Sequence, residues 1–508
     1  MSELRRYRSP VWDEPLIMQQ GAPGRRGAVP PPPIDRSAVV EVPAALRRAT
    51  PPTLPEVAEY DVLRHYLHLS QETMGMIGIS LFGTCTMKYN PRVNERFAAL
   101  TQLADIHPHQ DDSTVQGLLE IVHGMDLALR DLSGMDRFVF QAGGGAAAAY
   151  LHTTVTRAYH ASHGELGQRR EIITTQQAHP CNPATAAAAG FDVVTLPMED
   201  DGYPSLDALK AAVGPRTAAL MINNPDDMGL YNPHIKEWVD VVHAAGGLCF
   251  YDHANFNGVM GRLRARELGF DACMFMLHKT FGVPKGGGGP AVGAYGCSAE
   301  LEPFLPGPLV DRAGDEYVRR ENPGGVGRIR EFLGNLQQVV KAYSWVLAMG
   351  ADGIHEAADM SVLANNYMET RLLAIPGVTK AYPHLTKHRL EMTRYSLGDY
   401  TEQTGITAVD VQNRMADFGV DAMWLSHEPW IVPEPFTPEA GETWSIEDIN
   451  QWIDVLAEVL AEGRRDPELV QTAPHRQVVA KLDGSGLDDP ARWSTTWRAH
   501  LRKTAARG

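Results

Sequence analysis

Lys279 stands at the end of an apolar run, in Phe275-Met276-Leu277-His278-Lys279-Thr280-Phe281. A lysine held at the tip of a buried strand is partly stripped of water, which lowers its pKa and supplies the neutral amine needed to attack an aldehyde. An ordinary surface lysine that snorkels to solvent is the plain competitor. Twenty-seven residues earlier, Leu248-Cys249-Phe250-Tyr251 ends in Asp252-His253-Ala254-Asn255. An acid at the carboxyl end of such a strand could hold a ribose, a metal or a protonated ring nitrogen, or simply cap the next turn. A third element is Phe138-Val139-Phe140-Gln141-Ala142, followed by Gly143-Gly144-Gly145 and the run from Ala146 to Ala149. There a strand gives way, through a turn only glycine allows, to a helix whose first N–H groups suit a phosphate.

The glycine run also fits Gly-x-Gly-x-x-Ala, the pattern of a dinucleotide site, and Glu165 and Glu171 lie about where a ribose-binding acid would fall. A tight strand-to-helix turn with no ligand is a further reading. Taken together, the anion cradle, the acid and the strand-end lysine fit pyridoxal 5'-phosphate, which needs a phosphate site, a partner for its ring nitrogen and a Schiff-base amine. A face-stacking group is expected too, and His179, in Gln177-Ala178-His179-Pro180-Cys181-Asn182-Pro183, is the best placed, with a structural histidine as its alternative. Arg394 could clamp a carboxylate. The favoured reading of that residue is a surface arginine.

These groups need a scaffold. Between about 135 and 300, short apolar runs alternate with helical stretches, which predicts an α/β fold with a mostly parallel sheet. The strands fall at 138–140, 172–174, 193–196, 218–222, 248–251 and 272–276, and helices at Ser205–Val213 and Ile235–Ala245. Helical periodicity begins near residue 56, a further helix starts near Asn94, and another spans about 329 to 350. The expected domains are an extended Pro/Arg-rich arm (1–55), a large domain (56–345), a smaller α+β domain (346–465) and a loosely held tail (466–508). The arm carries 11 of the 35 prolines and suits a wrapping role in an oligomer.

With 46 basic against 62 acidic residues among 508, the formal charge is −16, so a nucleic-acid partner is not expected. Five cysteines without a CxxC pair suggest a reduced, cytoplasmic protein with no structural metal. No apolar window is long enough for a membrane span.

Several strings carry a family likeness: Leu54-Pro55-Glu56-Val57, Val62-Leu63-Arg64-His65-Tyr66, Cys85-Thr86-Met87-Lys88-Tyr89-Asn90-Pro91, His278-Lys279-Thr280-Phe281, Gly286 to Gly289 and Leu301-Glu302-Pro303-Phe304-Leu305-Pro306. From about residue 50 to 475 the chain resembles the glycine dehydrogenase (decarboxylating) family, the P-protein of the glycine cleavage system, and within it subunit 2 of the two-subunit form. The resemblance implies an aspartate-aminotransferase-like, fold type I large domain using pyridoxal 5'-phosphate. Lys279 would bond the cofactor aldehyde, Asp252 would face the ring nitrogen and His179 would stack on the ring. Gly143, Gly144, Gly145 and Ala146 would hold the phosphate, with Asn224 and His278 also at the cofactor. It further implies a small amino-acid substrate, glycine, whose aminomethyl group passes to a lipoylated H-protein. The assembly would be a homodimer or a heterotetramer with subunit 1.

The chain departs from the family pattern inside these motifs. The usual Ala-Gly-Ala-His-Gly-Glu is replaced at Gly143 to Ala148, Thr by Cys181, Gly by His253, and Ser-Thr-Pro-His by Gly282-Val283-Pro284-Lys285. The changes at 181 and 253 are expected to alter size and hydrogen bonding beside the substrate. A repurposed relative acting on another amino acid or amine, by decarboxylation, transamination or oxidation, is the rival reading.

Overall fold

The structure, a computed structural model, describes residues 4–5, 7–25, 42–50, 52–73, 78–81, 87–284, 291–428 and 430–505. The four-glycine run, Lys285, Cys85-Thr86 and the prolines at 30–33 lie outside them.

The apolar runs build one seven-stranded sheet: β1 (Arg137–Ala142), β2 (Glu171–Thr175), β3 (Asp192–Leu196), β4 (Thr217–Asn223), β5 (Leu248–His253), β6 (Ala272–Met276) and β7 (Gly293–Cys297), in the order β1-β7-β6-β5-β4-β2-β3. Only β7 runs against its neighbours. Its sequence, Gly-Ala-Tyr-Gly-Cys, has two glycines and no β-branched residue, so local propensity gives no strand signal. It forms because both of its edges find partners and its backbone groups must be satisfied.

Helices cover both faces, as buried parallel strands require. They are α1 (Glu59–Gln71), α2 (Gln116–Ser133), α3 (Gly145–Ser162), α4 (Cys181–Ala188), α5 (Ile235–Ala244) and α6 (Leu336–Leu372). Strand side chains alternate between two cores. Val139, Ile172, Met221, Phe250 and Met274 pack with Ala148, Leu151 and Val155 of α3. Phe138, Ile173, Leu220, Tyr251 and Phe275 pack with Met125 of α2, Trp238 of α5 and Ala342 of α6. Each large side chain so buried contributes about 1.5–3 kcal/mol.

Helix α6 breaks at Gly350 (φ +62). Its first part packs on the sheet, while Met368 and Leu372 enter a separate core with Leu397, Tyr400, Val411, Phe436 and the side chains of α7 (Ile446–Arg465) such as Trp452 and Leu456. That second core is lined by a small antiparallel sheet of Thr379–Lys380, Tyr395–Ser396 and Pro435–Phe436. The N-terminal segment lies along its own chain: Trp12 stacks on His68 at 4.0 Å, Glu14 bonds His65 and His68, and Ser9 bonds Glu72 and Arg476. Among the described residues no helix is long and apolar enough to cross a membrane.

Candidate active site

The parity of β5 decides where its polar end points. Leu248 and Phe250 face α3, so Asp252 does too, at the carboxyl end of the strand. Its Oδ2 accepts from Asn182 Nδ2 (3.1 Å), in the first turn of α4, and its Oδ1 from the Ala254 N–H (2.9 Å). Asp252 is 4% exposed. Burial therefore raises its pKa, opposed by the nearby charges of His179 and Lys279.

Lys279 follows β6, in a turn where its N–H donates to the Met276 carbonyl (3.0 Å), and only 7% of it is exposed. Its charge is felt at Asp252, His179, Cys181, His278 and His427, which puts the ammonium at the centre of the cluster. His179 sits just before α4. Burial first, then Lys279 and His427, lower its pKa to about 4 against the pull of Asp252, so the ring is neutral at pH 7. Its Nδ1 accepts from the Cys181 N–H (3.1 Å), which leaves the proton on Nε2. A neutral flat ring suits stacking.

At the third corner β1 ends at Ala142, and Gly144 turns the chain at φ +153 into α3. The first N–H groups of this 18-residue helix are unmatched within it. A Cβ on Gly143 would lie 2.7 Å from Nη1 of Arg330, so only glycine lets that guanidinium approach the turn. Ala146 is exposed in the first turn of α3.

Other expected site residues are placed differently. The Asn224 side chain is occupied by its own loop: Oδ1 accepts from the Asn232 N–H (2.7 Å) and Nδ2 donates to the Asn232 carbonyl (3.3 Å). His278 is buried, its Nδ1 unpartnered, with a pKa lowered to about 4 by burial and by Lys279. His253 corrects the expectation drawn from its motif. One residue beyond Asp252, it faces the opposite core, with its ring 3.6 Å from that of Tyr251 and 4.9 Å from Phe256. Both nitrogens lack partners and burial lowers its pKa to about 3, so it behaves as an apolar core ring. Cys181, by contrast, does lie on the site side, where burial and the Asp252 charge push its thiol up.

The surface reading of Arg394 is overturned. It is 2% exposed, with Nη1 donating to Gln177 Oε1 (3.3 Å), Nη2 at 3.6 Å from Asp227 Oδ2, and Nε without a partner. Gln177 joins it to His179, two residues on. No motif points to His427, whose ring meets His179 edge-on at 4.7 Å, nor to Asp227 or Arg330. Their neighbours in space are tens to hundreds of residues away in the chain.

The residues fit pyridoxal 5'-phosphate. A buried carboxylate at a strand end, a buried lysine within its electrostatic reach, a neutral ring beside both and a glycine-opened helix start are what its ring nitrogen, aldehyde, face and phosphate require.

Comparison with known proteins agrees. The Aminotransferase class-V family model matches residues 132–321. A probable glycine dehydrogenase (decarboxylating) subunit 2 of Pyrococcus abyssi is 40% identical over 481 residues, covering 94% of this chain and 95% of the relative. The protein of the same description from Aeropyrum pernix is 40% identical over 512 residues, covering 97% and 98%. Among solved structures, an inhibitor-bound glycine decarboxylase (P-protein) of the glycine cleavage system superposes with a TM-score of 0.68 at 20% identity, covering 82% of this chain and 93% of the other. The cysteine desulfurase CsdA of Escherichia coli gives 0.56 at 17% identity, covering 76% and 95%, so the fold is the fold type I architecture expected from the sequence. With such identity running almost end to end, the chain belongs to the family of glycine dehydrogenase (decarboxylating) subunit 2.

Proposed function

We propose that this chain decarboxylates glycine on pyridoxal 5'-phosphate and passes the aminomethyl group to a lipoylated H-protein, working with a related subunit 1. The observation that carries the reading is the convergence of Asp252, Lys279 and His179 on one side of the sheet, within one another's electrostatic reach. When bound, the cofactor supplies an electron sink for the pair released as CO2 leaves. The chain's own residues do the rest. Lys279 offers its amine to the cofactor aldehyde and then to the substrate's proton. Asp252, fixed by Asn182 and Ala254, holds a proton at the ring nitrogen. Neutral His179 would cover the ring face, with Nε2–H as its remaining donor. Arg394, whose Nε has no partner among the described residues, grips the substrate carboxylate and so orients the bond to be broken. The Gly143–Gly145 turn, the first N–H groups of α3 and Arg330 bind the phosphate.

The chain divides on this reading into an arm (1–55), a large domain (56–345), a small domain (346–465) and a tail, supported by the two cores and the break at Gly350. Free, buried thiols at 181, 249, 273 and 297 support a cytoplasmic setting. The test is exchange of labelled bicarbonate into glycine. It should require subunit 1 and lipoylated carrier; exchange that is absent with both present, while another amino acid is turned over, contradicts the reading.

A further inference from the structure

We propose that Asp227 is a specificity-determining residue: it holds the Arg394 guanidinium in check, so that the site captures a single substrate carboxylate loosely and refuses dicarboxylic amino acids. The inference rests on the reading of Arg394 as the carboxylate clamp.

Arg394 is almost wholly buried, yet its charge is poorly matched. Among the described residues Nη1 meets the neutral Gln177, Nε has no partner, and Nη2 reaches Asp227 at 3.6 Å, well beyond the roughly 2.7–2.9 Å of a tight charge-assisted pair. Asp227 is itself 9% exposed and is otherwise held only by a long 3.4 Å bond from Asn223 Nδ2. Asn223 ends β4 and is in register with Asp252, which places this second acid on the site's rim. Its charge is felt by Cys181 and by His427. The guanidinium therefore keeps an open N–H for an incoming carboxylate, and that carboxylate must settle beside a like charge already facing the same group. In a low-dielectric pocket such repulsion weakens anion capture strongly. One negative charge is tolerated because Arg394 can turn from Asp227 to the newcomer. A second negative charge on the substrate would face Asp227 with Arg394 already engaged. After the carboxylate departs as CO2, Asp227 again neutralises Arg394.

The test uses the holoenzyme and two variants, Asp227→Asn and Asp227→Glu, titrated with glycine, aspartate and methylamine. The shift of the cofactor absorption band is read alongside the heat of binding. Asp227→Asn is expected to bind glycine about tenfold more tightly and to gain measurable aspartate binding, with no such gain for methylamine, because only a carboxylate is relieved of repulsion when that negative charge is removed. Asp227→Glu, whose longer arm brings the carboxylate closer to Arg394, is expected to bind glycine more weakly than the parent. Unchanged or weaker glycine binding by the Asn variant, an equal change for methylamine, or tighter glycine binding by the Glu variant overturns the proposal. If the parent band responds to another amino acid and not to glycine, the glycine reading fails and the charge comparison is made with the responding compound. A parent that responds to no carboxylate overturns both.

Discussion

Asp252 and His253 are chain neighbours at the end of one strand, and they belong to different parts of the molecule. Asp252 emerges among Asn182, Lys279 and His179; His253 turns into the aromatic layer of Tyr251, Phe256 and Phe275. Both are buried, and loss of water raises the pKa of Asp252 and lowers that of His253 to about 3. The consequence differs because Asp252 meets polar and charged neighbours, whereas His253 meets aromatic rings. A motif position that looks altered in the linear sequence is thus a change in chemistry on one face and a change in packing on the other.

Substitutions separate the two faces. Asp252→Asn should have the largest effect, lowering turnover by about 10²–10⁴ while the cofactor stays bound, since the side chain keeps its size but no longer stabilises a protonated ring nitrogen. A steady-state assay with a cofactor spectrum checks this. Arg394→Gln should come next, raising KM for the amino-acid substrate about 10- to 100-fold with a smaller change in kcat, as expected for loss of a charged hydrogen-bond partner. His253→Ala should show the opposite profile: about 2–3 kcal/mol less stable in denaturant from the cavity left in the aromatic layer, with kcat and KM unaltered. A large loss of substrate affinity in that variant would place His253 back in the site.

The smallest effect concerns pH. Glu391 is 0% exposed, neither carboxylate oxygen has a partner, and burial with the Glu439 charge raises its pKa to about 8 from an ordinary 4.5. The folded state therefore holds a proton that the unfolded state has released between those values, and stability falls as pH rises across that window. Glu391→Gln should remove this slope and recover about 2–4 °C of melting temperature at pH 8.5, measured by calorimetry against the parent at pH 6.

Six of the seven strands were legible because each is a short apolar run, and the site's acid and lysine stood out as polar residues closing such runs. The glycine turn was legible from its abrupt passage into alanines. β7 was not, since Gly293-Ala-Tyr-Gly-Cys is a strand only by courtesy of the two strands flanking it. The facing of His253 was in principle legible, because alternation along β5 assigns residues 252 and 253 to opposite sides. His427, Asp227, Arg330 and the burial of Arg394 were not. Each comes from a loop or a short strand of the second core, or from a turn distant in sequence, and tertiary packing alone brings it to the site.

The central claim is that Lys279 is the amine that takes the cofactor. Reduction of the holoenzyme with borohydride, proteolysis and mass spectrometry of the labelled peptide test it most directly. The account predicts a single pyridoxyl adduct on Lys279. An adduct on another lysine, such as the buried Lys88 that here pairs with Glu442 and lies over the Trp345 ring, would contradict it.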